Sequence, residues 1–122
     1  MNELSIEISE GRTAFEGGEE ITGTARWQLD QAPREMELRL FWFTRGESNQ
    51  DASVTDTCRF EHPGAADSRA FRVRLPEGPC SYSGKLFSIV WALELVPKPG
   101  KDAARVEIVV GPGGRGIQSG DN

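Results

Sequence analysis

The sequence has little of what catalysis usually draws on. It holds one histidine, two cysteines, two methionines and one tyrosine in 122 residues. A lone histidine and two thiols exclude most triad and closed metal chemistry. Nucleophilic catalysis needs a base within hydrogen-bond reach, and structural zinc sites almost always take four ligands. Long hydrophobic runs are missing too. The longest apolar stretch, Leu86 to Val96, has 11 residues and contains Ser88 and Glu94, against about 20 for a membrane-spanning helix. Nor is there a basic excess. The net charge is −5, with nine acidic and three basic side chains in residues 1–37 and ten acidic and eleven basic in the remainder. No basic stripe is available to displace counterions from phosphates, so nucleic acid is not an expected partner. The opening Met1 to Glu7 lacks the basic and apolar regions of a signal peptide. The expectation is a cytoplasmic chain with Cys58 and Cys80 as reduced, unpaired thiols.

Helical periodicity is also absent. No window of 11 residues places apolar side chains cleanly at i, i+3, i+4 and i+7. The one short candidate, Gln31 to Arg34, contains Pro33 and reads as a loop.

What is present is alternation with a period of two, broken by turns rich in the fourteen glycines and seven prolines. Seven segments show it. Leu4, Ile6 and Ile8 form the first, and Ile21 to Leu29 the second. Met36, Leu38, Leu40 and Trp42 form the third. Val54 to Phe60 is a weaker fourth, with Cys58 and Phe60 on one face. Phe71, Val73 and Leu75 form the fifth; Phe87, Ile89, Trp91, Leu93 and Leu95 the sixth; Val106, Ile108 and Val110 the last. Seven half-buried strands joined by short loops predict an all-β, immunoglobulin-like antiparallel sandwich. Connections too short for crossover helices predict purely antiparallel pairing. Residues 1–110 then form one domain, and 111–122, with five glycines in twelve residues, a flexible tail.

Two stretches are more specific. Phe15-Glu16-Gly17-Gly18-Glu19-Glu20-Ile21-Thr22-Gly23 resembles the opening of arrestin-type domains: an aromatic residue, a tight Gly-Glu turn, an aliphatic residue and a strand glycine. Phe71 to Glu94 is similar to the arrestin-type run in which a strand ends at proline, a serine-containing loop follows, and a long strand carries an aromatic and aliphatic core face. The resemblance implies an arrestin-like sandwich over residues 4–110 and a general disposition to bind proteins. The chain departs from the family in having room for one domain where arrestins have two in tandem, and in carrying Gly17 at a common turn proline.

Physical reasoning marks the same positions. A glycine in mid-strand, such as Gly23, implies close approach of a neighbour, and Trp27 on the same face is the candidate. Ser81 and Tyr82 lie in a proline-locked loop, where their hydroxyls can satisfy loop amides.

Candidate chemistry is thin. His62, between Glu61 and Pro63, reads as a solvated loop residue. Cys58, Cys80 and His62 make an incomplete zinc set, and both cysteines read better as small buried hydrophobes. Glu19-Glu20, Glu35 with Glu37, and Asp51 with Asp56 are the paired carboxylates. Ion pairs of Glu35 and Glu37 with Arg26 or Arg105 explain those two more simply than acid–base work. Asn49 beside the aspartates fits no calcium loop. Arg69, Arg72 and Arg74 are the one basic cluster; Arg72 and Arg74 share a wet face, and a solvated face that deters edge pairing explains them more simply than binding of an acidic partner or a phosphate. Trp27, Trp42 and Trp91 read as core. No cofactor, metal or catalytic residue is expected.

One feature breaks the alternation rule. Phe41, Phe43, Leu86, Val90 and Ala92 lie opposite the core phase, yet all are apolar. If the third and sixth strands are neighbours, these residues make one outward patch, and such patches tend to be interaction sites. A β-bulge near Phe41 would bury one of the rings instead, and a loop or the tail folded across would cover the face. The expected function is a non-enzymatic protein-interaction module, an adaptor or scaffold, using Phe41, Phe43, Leu86 and Val90 toward a protein partner or a second copy. The rival is a small-ligand binder or enzyme using loops around Tyr82, Cys80 and His62.

Overall fold

The computed structural model describes residues 2–46 and 50–118. Ten extended segments occur in chain order: β1 (Glu3–Ile8), β2 (Ala14–Phe15), β3 (Glu20–Gln28), β4 (Glu35–Gly46), β5 (Ala52–Phe60), β6 (Ala66–Arg74), β7 (Tyr82–Ser83), β8 (Phe87–Lys98), β9 (Ala104–Val110) and β10 (Ile117–Gln118). Seven of them have six or more residues, and they coincide with the seven alternating segments of the sequence. No α-helix occurs among the described residues; Ser9–Gly11 and Pro112–Gly114 are single 3₁₀ turns.

The strands form two sheets. The smaller has the order β1-β3-β6. The larger runs β10-β7-β8-β4-β5, with β9 on the β8 edge that β7 also uses and β2 on β9. Pairing among the seven longer strands is antiparallel. The expectation of purely antiparallel pairing fails at the two-residue segments, because β2 pairs with β9 and β10 with β7 in parallel. These bridges are too short to need a crossover helix of their own. The third and sixth predicted strands, β4 and β8, pair along their full length, from Glu35 opposite Lys98 to Gly46 opposite Phe87.

The core lies between the sheets, where the apolar phases meet. Ile21, Ala25 and Trp27 of β3 face Leu38 and Leu40 of β4, Trp91, Leu93 and Leu95 of β8, and Ile108 and Val110 of β9. Trp42 packs against this core from its margin and stays half-buried; Ile89 is half-buried as well. Each buried indole keeps a hydrogen bond: Trp27 Nε1 donates to Gly64 O (2.9 Å) and Trp91 Nε1 to Pro79 O (2.8 Å). Such partners remove the desolvation cost of an orphaned N–H.

Gly23 sits in the central strand of the small sheet. A Cβ there would stand 2.7 Å from the Phe71 ring and against Glu7 O. The close neighbour is therefore Phe71, directly across on β6, and not Trp27. The Gly-Glu turn between β2 and β3 is closed by its own acid. Glu16 N donates to Glu19 Oε2 (2.6 Å), and Arg12 bonds Glu19 while lying over the Phe15 ring. The Glu16 amide bond, chiefly, holds the Glu19 carboxyl below the usual carboxylate range. Ser81 is buried, and its hydroxyl accepts from Val110 N (2.9 Å). The glycine-rich segment remains engaged past the predicted boundary: Gly111 N donates to Phe15 O and Ile117 N to Ser81 O. Residues 119–122 lie outside the described residues, as does Asn49.

Candidate functional site

The outer face of the large sheet is where the alternation rule is broken, and β4 keeps its phase there. A bulge does occur beside Phe41, but on the neighbouring strand. Leu40 pairs with Asp56 and Phe41 with Val54, which leaves Thr55 as the extra residue of β5. Phe41 and Phe43 therefore both point away from the core. Phe41 pairs with Ala92 and Phe43 with Val90 on β8. Phe41 and Ala92 are 8% and 0% exposed, yet neither belongs to the central core cluster. They are buried on the outside.

The cover comes from the chain's own arginines. Phe41 and Phe43 stack at 5.8 Å between centroids. The Arg105 guanidinium, reaching over from β9, lies 5.0 Å from the first ring and 5.3 Å from the second. Arg45, at the end of β4, lies 5.3 Å from the Phe43 ring. Both cations are fixed by carboxylates, Arg105 by Glu94 (3.0 Å) and Arg45 by Glu107 (2.8 Å). The result is an aromatic pair roofed by two ion pairs whose charged ends remain in solvent. Arginine over an aromatic ring is stabilised by the ring quadrupole.

The four predicted interaction residues thus separate. Phe41 is buried, contrary to an exposed patch, because Phe43 and Arg105 cover it. Phe43 and Val90 are half-buried. Leu86 is 75% exposed but stands before β8 begins, apart from the ring pair.

Toward the start of β4 the same face carries Glu37, 4% exposed. Three cations from three strands converge on it: Arg39 (2.9 Å), Arg59 (3.0 Å) and Lys98 (3.1 Å). Burial alone raises a carboxyl pKa; here the hydrogen bonds from Arg59, Arg39 and Lys98 outweigh it and bring Glu37 down to about 2. The expected partners, Arg26 and Arg105, pair elsewhere, with Glu7 and Glu94. Arg39 flanks Glu37 on its own strand, whereas Arg59 and Lys98 become its neighbours only through the strand order β5-β4-β8, which places β3 and β9 elsewhere.

The remaining candidates are absorbed by the scaffold. Arg69 bonds Asp67 and the Glu61 and His62 carbonyls, fastening the loop after β5. Arg72 and Arg74 approach Glu20 at 3.6 and 3.5 Å. Asp56 accepts from Arg74 N (2.8 Å), a side chain occupying the edge of β6. Cys58 and Cys80 are half-buried thiols. His62 and Tyr82 lie at opposite ends of the sandwich. Phe60, just before His62, is opposite Met36 at the start of β4, whereas Tyr82 joins Ile89, opposite Thr44 near its end. At about 3.3 Å per residue this separates them by roughly 25 Å, so the rival loop site does not converge. Among the described residues, no three His, Cys, Asp or Glu side chains are placed to hold a metal, and no helix is long and apolar enough to cross a membrane.

No protein-family model matches the chain, and no curated protein matches it. Among solved structures it is similar to Spo0M, the sporulation control protein from Bacillus subtilis. The identity is 20% and the TM-score 0.64, over 91% of this chain and 49% of that one. The chain spans about half the length of that protein. At this identity the likeness speaks for the fold: the chain is an all-β, arrestin-like antiparallel sandwich.

Proposed function

We propose that the chain is a non-enzymatic protein-interaction module of the cytoplasm, an adaptor or scaffold that binds through the outer face of β4 and β8. The observation that carries this reading is the aromatic pair Phe41 and Phe43, with Val90 and Ala92 beside it, under Arg105 and Arg45. A strand face meant only for water has polar side chains at these positions, as β6 does with Arg72 and Arg74. Aromatic residues and arginine are the types most enriched in the energetic centres of protein interfaces. The arginine roof keeps the face soluble when unbound and offers donors to a partner. The fold is shared with a protein named for sporulation control, which is in keeping with a regulatory role.

The occupant is a protein partner or a second copy, for which one self-complementary face suffices. The test is light scattering on wild type and Val90→Arg, with circular dichroism as the fold control. Wild type is expected to associate and the variant to remain monomeric and folded, because a new charge in an interface core is costly to desolvate. A monomeric wild type at millimolar concentration removes the second copy. Pull-down with identification, and reconstitution from purified proteins, then tests the partner. A reconstituted complex that Val90→Arg leaves intact contradicts the assignment of this face.

A further inference from the structure

The Glu37 cluster holds more positive charge than Glu37 needs. One cation neutralises one carboxylate; here three stand within hydrogen-bond distance of it. Their mutual repulsion is a cost unless further negative charge offsets it. Glu37 is buried and fixed by both oxygens: Oε1 accepts from Arg39 and Lys98, Oε2 from Arg59. The cations are therefore pre-oriented by a carboxylate that solvent barely reaches. Their capacity is not exhausted. Arg59 gives Glu37 its Nε–H while its side chain is 76% exposed, and Lys98 is 43% exposed. A guanidinium carries five donors and an ammonium three.

Arg59 and Glu37 also line a pocket of about 440 Å³, together with Arg34, Phe60 and His62; Arg39 and Lys98 stand outside it. Glu35 and Glu61 line it too. Counting Glu94, opposite Arg39 and held by Arg105, the five cations Arg34, Arg39, Arg59, Lys98 and Arg105 meet the four carboxylates Glu35, Glu37, Glu61 and Glu94, an excess of one positive charge in a chain of net charge −5. The cluster lies on the same face of β4 as Phe41 and Phe43, two and three pleats further along.

We infer that Arg59, Lys98 and Arg39, organised around buried Glu37, form a seat for the carboxylates of an acidic segment on the protein partner. The inference rests on the reading of this face as an interface and names the chemistry of what it meets. Arg59 is the exposed guanidinium here: it gives Glu37 only its Nε–H and leaves its Nη groups for a carboxylate, the group that gives arginine its bidentate recognition, while Arg39 spends both Nε and Nη2 on Glu37 and adds charge.

The experiment is an NMR titration of the intact protein with a hexaglutamate peptide, alongside inorganic phosphate. Saturable shifts are expected at the amides of Glu37, Arg39, Arg59 and Lys98. Arg59→Ala is expected to weaken peptide binding at least about tenfold, as loss of a charge-assisted contact implies, and Arg26→Ala, on the other sheet, to leave it within about twofold. High salt should weaken it strongly. Absence of saturable shifts at millimolar peptide overturns the inference, as does equal weakening by Arg26→Ala. Phosphate binding as tightly as the peptide also overturns it, in favour of a free oxyanion. Failure here with the Val90→Arg association defect intact removes the acidic partner and leaves the interface. Peptide binding together with an association that Val90→Arg does not touch removes the interface reading.

Discussion

Glu37 shows how one side chain sets a pH limit on the fold. Its carboxyl is lowered from 4.5 to about 2 by three cationic donors. A carboxyl that is more acidic folded than unfolded contributes stability above its unfolded pKa and loses it as pH falls through the folded one. Wild type should therefore lose stability progressively between about pH 4.5 and 2, by on the order of 2 kcal/mol after allowance for solvent screening. Glu37→Gln should be less stable at neutral pH and flatter across that window; urea unfolding from pH 7 to 2.5 measures both. Gly23 makes a second residue-scale case. Gly23→Ala places a methyl against Glu7 O and the Phe71 ring, and overpacking of that kind costs about 1–3 kcal/mol. Equal unfolding midpoints for Gly23→Ala and wild type would show that β1 or Phe71 yields freely.

Elements were legible where the period was long enough to read. Seven strands follow from alternation because one face of each is buried, and a slip by one residue would expose its whole apolar set. β2, β7 and β10 have two residues each, which is too short to show any period. The weakness of the fourth segment has a cause in the bulge at Thr55, where the phase of β5 shifts against β4. The outward apolar residues of β4 and β8 were legible as an exception. Their cover was not, because Arg105 and Arg45 reach the rings only once β9, β8 and β4 are side by side. The gathering of Arg59 and Lys98 on Glu37 depends on the same strand order. Arg105→Ala should cost about 0.5–1 kcal/mol, the scale of an exposed cation–π contact, and should increase binding of a hydrophobic dye as Phe41 is uncovered. An unchanged dye signal would mean that Phe43 alone covers that ring. Trp91→Ala, at the centre of β8 and fully buried, should cost about 3–5 kcal/mol. A loss below about 1 kcal/mol would contradict the placing of its phase.

At the scale of the molecule, the two sheets divide the labour. The small sheet and the inner phase of the large one make the core, and the outer phase of the large sheet, which carries the ring pair and the Glu37 cluster, is the face we propose as the interface. The loops that hold His62 and Tyr82 are kept apart by the length of β4, which is why a shared ligand site does not assemble there. The most direct test of the central claim is to map, by amide chemical shifts, where the protein changes as its own concentration or that of a purified partner rises. The expected result is a contiguous set on the outer face of β4, β8 and β9, including Phe41, Phe43, Val90 and Arg105. Shifts confined to the loops at 61–65 or 76–83, or to the small sheet, would contradict it.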